Sequence, residues 1–311
     1  MPAREGGDEG KCPPRRAYCR LNAAPLRPPA EKIAGVFQIK LLNLCVMKRI
    51  IPILAAMAIM TACSNNPKVL VLYYSQNGTT EVVAEEIQAQ TGADICRFDV
   101  EEPYTGSFEE TIERCQSEMQ SGFVPNLGEL SCDLSKYDVV FLGYPVWFGT
   151  YAPPVKALLR SVDLSGKTIV PFCTFGSGGL QSSSADLAAA LESSEIKPGY
   201  GVRAARIASA KDELNRFLIE NGWKEGAVEP LPDYSEETAV TEEEAALFDA
   251  ACSGYQFPLG TPVTCGSRTT STGVDYIFTA QSASPDGNLV QSKIYVTVSG
   301  DKAPEFTQVV R

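Results

Sequence analysis

The sequence predicts a doubly wound α/β domain on a five-stranded parallel sheet, followed by a small α+β domain of one helix and a four-stranded antiparallel sheet. Three observations predict this. Apolar strand-like runs alternate with helical patterns over 67–225, which is the signature of βα units. An acidic stretch with Pro230 and Pro232 then reads as a linker over 226–240. Beyond it, over 241–311, one capped helix precedes four segments separated by Gly, Ser, Pro and Asp turns.

The chain opens on a leader, residues 1–46, rich early on in Pro, Arg and Gly and without a sustained period. A new signal occupies 47–63. Lys48 and Arg49 are basic, Ile50 to Met60 is apolar except for Pro52, and Thr61-Ala62-Cys63 follows. That order is that of a bacterial secretory signal, and the run is too short to cross a bilayer as a helix. The Cys after small residues resembles the lipobox of bacterial lipoproteins, although Met60 departs from the usual Leu or Val. The resemblance implies lipidation of Cys63, cleavage before it, and a chain anchored to a membrane of the bacterial cell envelope. Met47 is then the natural start, with 1–46 disordered or not translated. The other reading is a short buried helix with a structural Cys.

In the α/β region, Lys68 to Tyr74 (KVLVLYY) reads as a strand buried on both faces. A polar loop leads to a helix with Val83 and Ile87 on one side. Ala93 to Val100 is a second strand, and Phe108 to Met119 an acidic amphipathic helix. Tyr137 to Gly143 is a third strand, Pro154 to Val162 a short helix with Pro in its first turn, and Lys167 to Thr174 a fourth strand. Leu180 to Leu191 is helical, Tyr200 to Ala208 a fifth strand, and Lys211 to Asn221 the closing helix. After the linker, Thr241 and Glu244 form a capping-box pattern, with Leu247, Phe248 and Ala251 on one face of the helix they open. Residues 259–270, 273–282, 290–299 and 304–310 are the four strands; in the third, Ile294, Val296 and Val298 alternate with Tyr295 and Thr297.

Composition narrows the chemistry. The 311 residues hold 27 Lys plus Arg, 38 Asp plus Glu and no His, a net charge of −11. Residues 1–63 carry 10 basic and 4 acidic residues, leaving 17 and 34 in 64–311, a net of −17. Nucleic-acid binding needs clustered Lys and Arg, so it is excluded as a function class. Without His there is no Ser-His-Asp triad, Cys-His pair or HExxH zinc site, and no catalytic residue or metal site is assigned. Of ten Cys, the six at 96, 115, 132, 173, 252 and 265 are scattered without a CxxC pair. They read first as small buried hydrophobes. In an exported protein some can oxidise; Cys252 and Cys265 are the pair nearest in sequence within one region.

Ligands of doubly wound sheets bind beyond the strand C-termini. Three loops leave those ends. Ser75-Gln76-Asn77-Gly78-Thr79-Thr80 sits between strand and helix, where successive amides and hydroxyls cradle an anion without a positive side chain. The same residue types also simply cap helices. Gly143 to Thr150 carries Tyr144, Trp147 and Phe148 around Pro145, Val146 and Gly149, suited to stacking on a flat ring; the alternative is a loop folded onto the sheet edge. Thr174-Phe175-Gly176-Ser177-Gly178-Gly179 offers backbone groups to the edge of a heterocycle, or is a flexible turn.

Cradle, aromatic wall and Gly-rich edge, in that order on five βα units, resemble the flavodoxins. The resemblance rests on VLVLYYSQNGTTEVVAEEI, GYPVWFGTYAPPVKALL and LSGKTIVPFCTFGSGG, within 67–225. Ser75, Gly78 and Thr80 match the family phosphate loop, with Asn77 in place of the usual Thr or Ser. Pro145, Trp147 and Gly149 match the ring-contacting loop; Thr174, Gly176 and Gly178 approximate the third, where Phe175 and Ser177 differ. Glu102-Pro103-Tyr104 also recurs in this family branch. The resemblance implies FMN as cofactor, bound by Ser75, Gln76, Asn77, Gly78, Thr79, Thr80, Pro145, Val146, Trp147, Phe148, Gly149, Thr174, Phe175, Gly176 and Gly178. A cofactor that carries the redox chemistry also accommodates the missing His. The expected function is a membrane-tethered electron carrier serving a redox partner protein. The alternatives are an FMN-dependent NAD(P)H quinone or nitro-compound reductase, and a non-redox lipoprotein scaffold. The C-terminal region resembles a cystatin-like fold; its nearest approach to the inhibitory Gln-x-Val-x-Gly hairpin, Pro262 to Gly266, lacks the Gln, so a spacer or docking role is expected.

Overall fold

The computed structural model describes residues 67–284 and 286–311; the leader, the signal segment and Cys63 lie outside the described residues. The elements follow the predicted alternation: β1 Val69–Tyr73, α1 Thr79–Thr91, β2 Asp94–Arg97, α2 Phe108–Ser121, β3 Val139–Trp147, β4 Thr150–Tyr151, α3 Pro153–Ser161, β5 Thr168–Phe175, α4 Leu180–Ala190, β6 Glu195–Ile196, β7 Tyr200–Arg203 and α5 Ala210–Glu220. The parallel sheet has the order β2-β1-β3-β5, with β6 and β7 sharing the outer side of β5 and β4 folded back antiparallel on β3. The order reverses direction at β1, which lies between β2 and β3. That is the switch point where ligands of such sheets bind.

Strand alternation sends β1 side chains to two cores. Leu70 and Leu72, with Tyr74 just beyond the strand, join Leu142, Tyr144, Val155, Leu158 and Leu187 on one face. Val71 and Tyr73 join Val83, Ile87, Phe141, Phe172, Leu214 and Leu218 on the other. This two-sided burial is why the run reads as unbroken apolar sequence. Gly143, in β3, is required by close packing: a Cβ there would lie 2.1 Å from the Phe172 ring.

Two predicted strands change shape. The third runs four residues further, through Pro145 to Trp147, because β5 continues alongside it as far as the Pro145–Thr174 pair. The fifth is shorter: only Tyr200–Arg203 is strand, β7, pairing with Phe172–Phe175, and residues 204–209 form a 3₁₀ turn; β6, which pairs with Thr168–Ile169, is an additional two-residue strand ahead of it.

The C-terminal sheet consists of β8 Thr238–Ala239, β9 Thr261–Thr270, β10 Gly273–Ala283, β11 Leu289–Ser299 and β12 Glu305–Val310, in the order β12-β11-β10-β9-β8. It has five strands, not four, because Thr238 and Ala239 of the predicted linker pair with Cys265 and Thr264. The predicted capping box is present: Thr241 and Glu244 bond reciprocally at the start of α6 Glu242–Cys252. Phe248 of α6 packs edge-on to Phe278, ring centroids 5.2 Å apart, over Ile294, Val296 and Phe306.

The cysteines correct the sequence expectation. Cys252 and Cys265 are free thiols, and the disulfide joins Cys96 on β2 to Cys132. Proximity in sequence was the wrong guide, because β2 and the segment that returns beside it bring together residues 36 apart.

Candidate functional site at the C-terminal ends of the parallel strands

The first loop turns from β1 into α1 at Gly78, which takes a left-handed φ of +87° and serves as N-cap without a side-chain cap. A Cβ there meets nothing within 4 Å, so this glycine is demanded by conformation and not by space. Of the first α1 amides, that of Thr79 is met by the Asn77 side chain, and those that follow keep the open donors of a helix N-terminus. Beside them, the Ser75 hydroxyl is buried and has no hydrogen-bond partner. A buried orphan hydroxyl is costly unless a ligand takes it. Arg97, at the end of β2, donates to the Ser75 carbonyl at 2.8 Å and pairs with Glu81 and Asp99, fixing the loop from outside.

The remaining cradle residues divide. Asn77 accepts from the Thr79 hydroxyl at 2.8 Å and from its amide at 3.3 Å, a local turn that leaves the Asn77 side-chain NH₂ to other partners. Thr80 is fully buried, and its hydroxyl bonds that of Thr174 at 2.8 Å, joining the first loop to the third. Gln76 is engaged elsewhere: its amide donates to the Thr111 hydroxyl at 2.8 Å and to the Tyr104 carbonyl.

The aromatic loop is a tight hairpin, not an open connection. Phe148 (φ +52°) and Gly149 (φ +82°) make the turn between β3 and β4. Trp147 lies edge-on to Tyr104 at 5.2 Å and to Tyr74 at 6.1 Å. Phe148 is 51% exposed. Tyr144 belongs to the core, with its hydroxyl on Ser183, and contributes no wall. Pro145 continues β3 and its carbonyl accepts the Ala152 amide, while Val146 packs against Gly179.

In the third loop, Thr174 and Phe175 are buried at the end of β5, whereas a Cβ on Gly176 would meet open space. Gly178 is different: a Cβ there would lie 2.3 Å from the Val309 carbonyl of β12. The three loops thus stand at the ends of adjacent strands β1, β3 and β5. Sequence reasoning flagged Glu102-Pro103-Tyr104 without a role. Arg114 of α2 donates to the carbonyls of Glu102 and Pro103 and stacks 3.8 Å over the Tyr104 ring, so the segment buttresses both Gln76 and Trp147. Arg97 and Arg203 were missed; their signal was a lone cation at the end of a parallel strand.

Acid-base and thiol chemistry find little footing here. Burial pushes the free thiols upward, Cys115 and Cys252 to about 11 and Cys265 to about 12, so none is poised as a nucleophile. Burial, helped by a hydrogen bond to Glu81, raises Tyr73 to about 12. Among the described residues no three His, Cys, Asp or Glu side chains gather to hold a metal. Two surface hollows, over Arg114 to Phe123 and between Val124 and Ser161, lie away from the three loops.

A helix start without an N-cap side chain, beside an orphan hydroxyl at the switch point of a doubly wound sheet, is an arrangement with the donors to hold a phosphate group. The Flavodoxin family model matches residues 68–221. Similar solved structures include a candidate flavoprotein of Bacteroides eggerthii (29% identity, 48% of this chain and 98% of that one, TM-score 0.41). Another is a candidate flavoprotein of Bacteroides uniformis (24%, 48% and 97%, 0.43). A third is a flavoprotein of Lactobacillus acidophilus in complex with FMN (22%, 47% and 99%, 0.40). No similar curated protein was found.

Proposed function

We propose that the chain is an FMN-binding redox protein, tethered to a membrane of the bacterial envelope through Cys63 and working as an electron carrier. The observation that carries the reading is the unpartnered, buried Ser75 hydroxyl beside the start of α1, in a domain that the Flavodoxin family model matches. Those donors fit a phosphate. Ser75, the Asn77 side-chain NH₂ and the Gly78 and Thr80 amides would hold it by oriented dipoles, with Arg97, held on the Ser75 carbonyl and Glu81, as the cation nearby. Pro145 to Gly149, with Trp147 supported by Tyr104, would flank the ring; Thr174, Phe175, Gly176 and Gly178 would line its edge. FMN supplies the electron chemistry. The chain's own residues bind, orient and shield it.

Export is supported by the Cys96–Cys132 disulfide, which belongs to oxidising compartments. Among the described residues no helix is long and apolar enough to cross a membrane. The decisive measurement is the absorption spectrum of purified protein mixed with FMN. A bound-flavin spectrum and slow turnover with NADH or NADPH alone are expected. No binding would refute the reading, and rapid nicotinamide oxidation would replace the carrier by a reductase. For the tether, growth with labelled palmitate should label the wild type and not Cys63→Ala; label in both would refute it.

A further inference from the structure

One edge of the C-terminal sheet, that of β12, is covered in part. β12 is an edge strand, and unpaired strand edges need cover. Its cover is the third loop of the α/β domain. The Val309 amide donates to the Ser177 carbonyl at 2.7 Å, and the Val309 carbonyl occupies the space where Gly178 lacks a side chain. Arg203, at the end of β7, bridges the two domains: its guanidinium donates to the Gly176 carbonyl at 2.8 Å and to the Phe306 carbonyl at 2.7 Å, 4.3 Å over the Phe306 ring. Arg206 adds a second tie, pairing with Glu213 at 2.6 Å and with Glu305 of β12 at 3.2 Å while almost wholly buried.

We propose that β12 is a clamp on the third loop, with Arg203 as the positioning residue, so that docking of the C-terminal domain sets the backbone facing the flavin edge and thereby the affinity and potential of bound FMN. The inference rests on the FMN reading above. Of the groups in Gly176-Ser177-Gly178, two carbonyls and the Cα of the last residue are engaged by the clamp; the Gly176 and Gly178 amides are left to a ligand. The clamp bears on Gly176 to Gly178, whereas the phosphate cradle meets the third loop at its first residue, through Thr80 on Thr174, and is otherwise tied to Arg97; the C-terminal domain therefore acts chiefly on ring contacts.

The test uses the full chain. Val309→Pro removes the donor from the outer edge of β12, where proline is tolerated. Gly178→Ala drives a methyl into the Val309 carbonyl. Arg203→Lys keeps charge but loses the fork to two carbonyls. Circular dichroism establishes that each is folded, and hydrogen exchange establishes that β12 has loosened. FMN and riboflavin should then weaken alike, by about fivefold to tenfold, the worth of roughly one hydrogen bond. The flavin potential should shift in the same variants, which loss of packing remote from the flavin would not produce. Folded variants with a loosened β12 but unchanged affinity and potential overturn the clamp. Selective loss of FMN over riboflavin also overturns it, because that is the signature of a damaged phosphate cradle. Wild type that binds neither flavin refutes the function itself and is distinguishable from both.

Discussion

Ser75→Ala separates a ligand-binding hydroxyl from a structural one by the sign of two effects. In the protein alone, the Ser75 Oγ is buried without a partner. Leaving such a group unsatisfied costs about 1–3 kcal/mol, so its removal should stabilise the protein without flavin by up to that amount. With FMN, the same hydroxyl is expected to donate to a phosphate oxygen. A hydrogen bond to a charged group contributes about 1.5–3 kcal/mol, so affinity should fall roughly tenfold to a hundredfold or slightly more. Riboflavin, lacking the phosphate, should bind with unchanged affinity. Thermal unfolding without ligand gives the first quantity, and flavin fluorescence titration with both ligands gives the second. A variant that is less stable without ligand, or that loses both flavins equally, would falsify the assignment of Ser75 to the phosphate.

Further outcomes follow from the same geometry. Gly78→Val places a β-branched residue at φ +87°, a cost of at least about 1–2 kcal/mol, so apo stability and FMN affinity should both fall although the space is open; a melting temperature equal to wild type would count against the conformational argument. Trp147→Ala should weaken FMN about tenfold and abolish fluorescence quenching on binding, and an unchanged titration would remove the indole from the site. Reducing the Cys96–Cys132 bond should destabilise by about 2–4 kcal/mol, seen as a lower melting temperature in reductant that the Cys96→Ala, Cys132→Ala double variant does not show. Burial raises Tyr73 to about 12 and raises Tyr74, Tyr104, Tyr144 and Tyr200 as well. A folded pKa above the unfolded one means stability that is intact below pH 10 and lost as pH climbs through the folded value. Unfolding between pH 10 and 12 should therefore coincide with tyrosinate absorbance; early ionisation of the folded protein would contradict the burial.

What the sequence made legible depended on how local its cause was. The KVLVLYY run and the Thr241–Glu244 box are satisfied by neighbours in sequence or by a simple buried environment, and both are found where the pattern put them. Pro145 misled, since a proline reads as a break, yet it lies past the last pairing of β3 with β1, at Gly143, and continues the strand opposite Thr174 of β5. Tyr144 looked like part of an aromatic wall until β3 was extended; strand alternation then sends it inward with Leu142. β8 is two residues long and exists only because Cys265 and Thr264 pass beside it, which no local pattern announces. In the site, the three loops were readable from residue types at strand ends. The roles of Arg97, Gln76 and Arg203 were not, because each reaches a partner more than 20 residues away.

The disulfide has a consequence for the protein's solubility. β2 is the outermost strand of the parallel sheet, and the chain from Asn126 to Cys132 runs back along it. The Glu101 amide bonds the Asn126 carbonyl, and the Gly128 amide bonds that of Asp99. Cys132 pins this strip at its far end to Cys96. A chain made where thiols stay reduced keeps its sheet but holds the strip by two backbone bonds and a few side chains. When the strip lifts, an apolar sheet offers a bare flank to the next molecule. The disulfide therefore also guards against self-association, and material produced in a reducing cytoplasm should precipitate more readily at equal concentration.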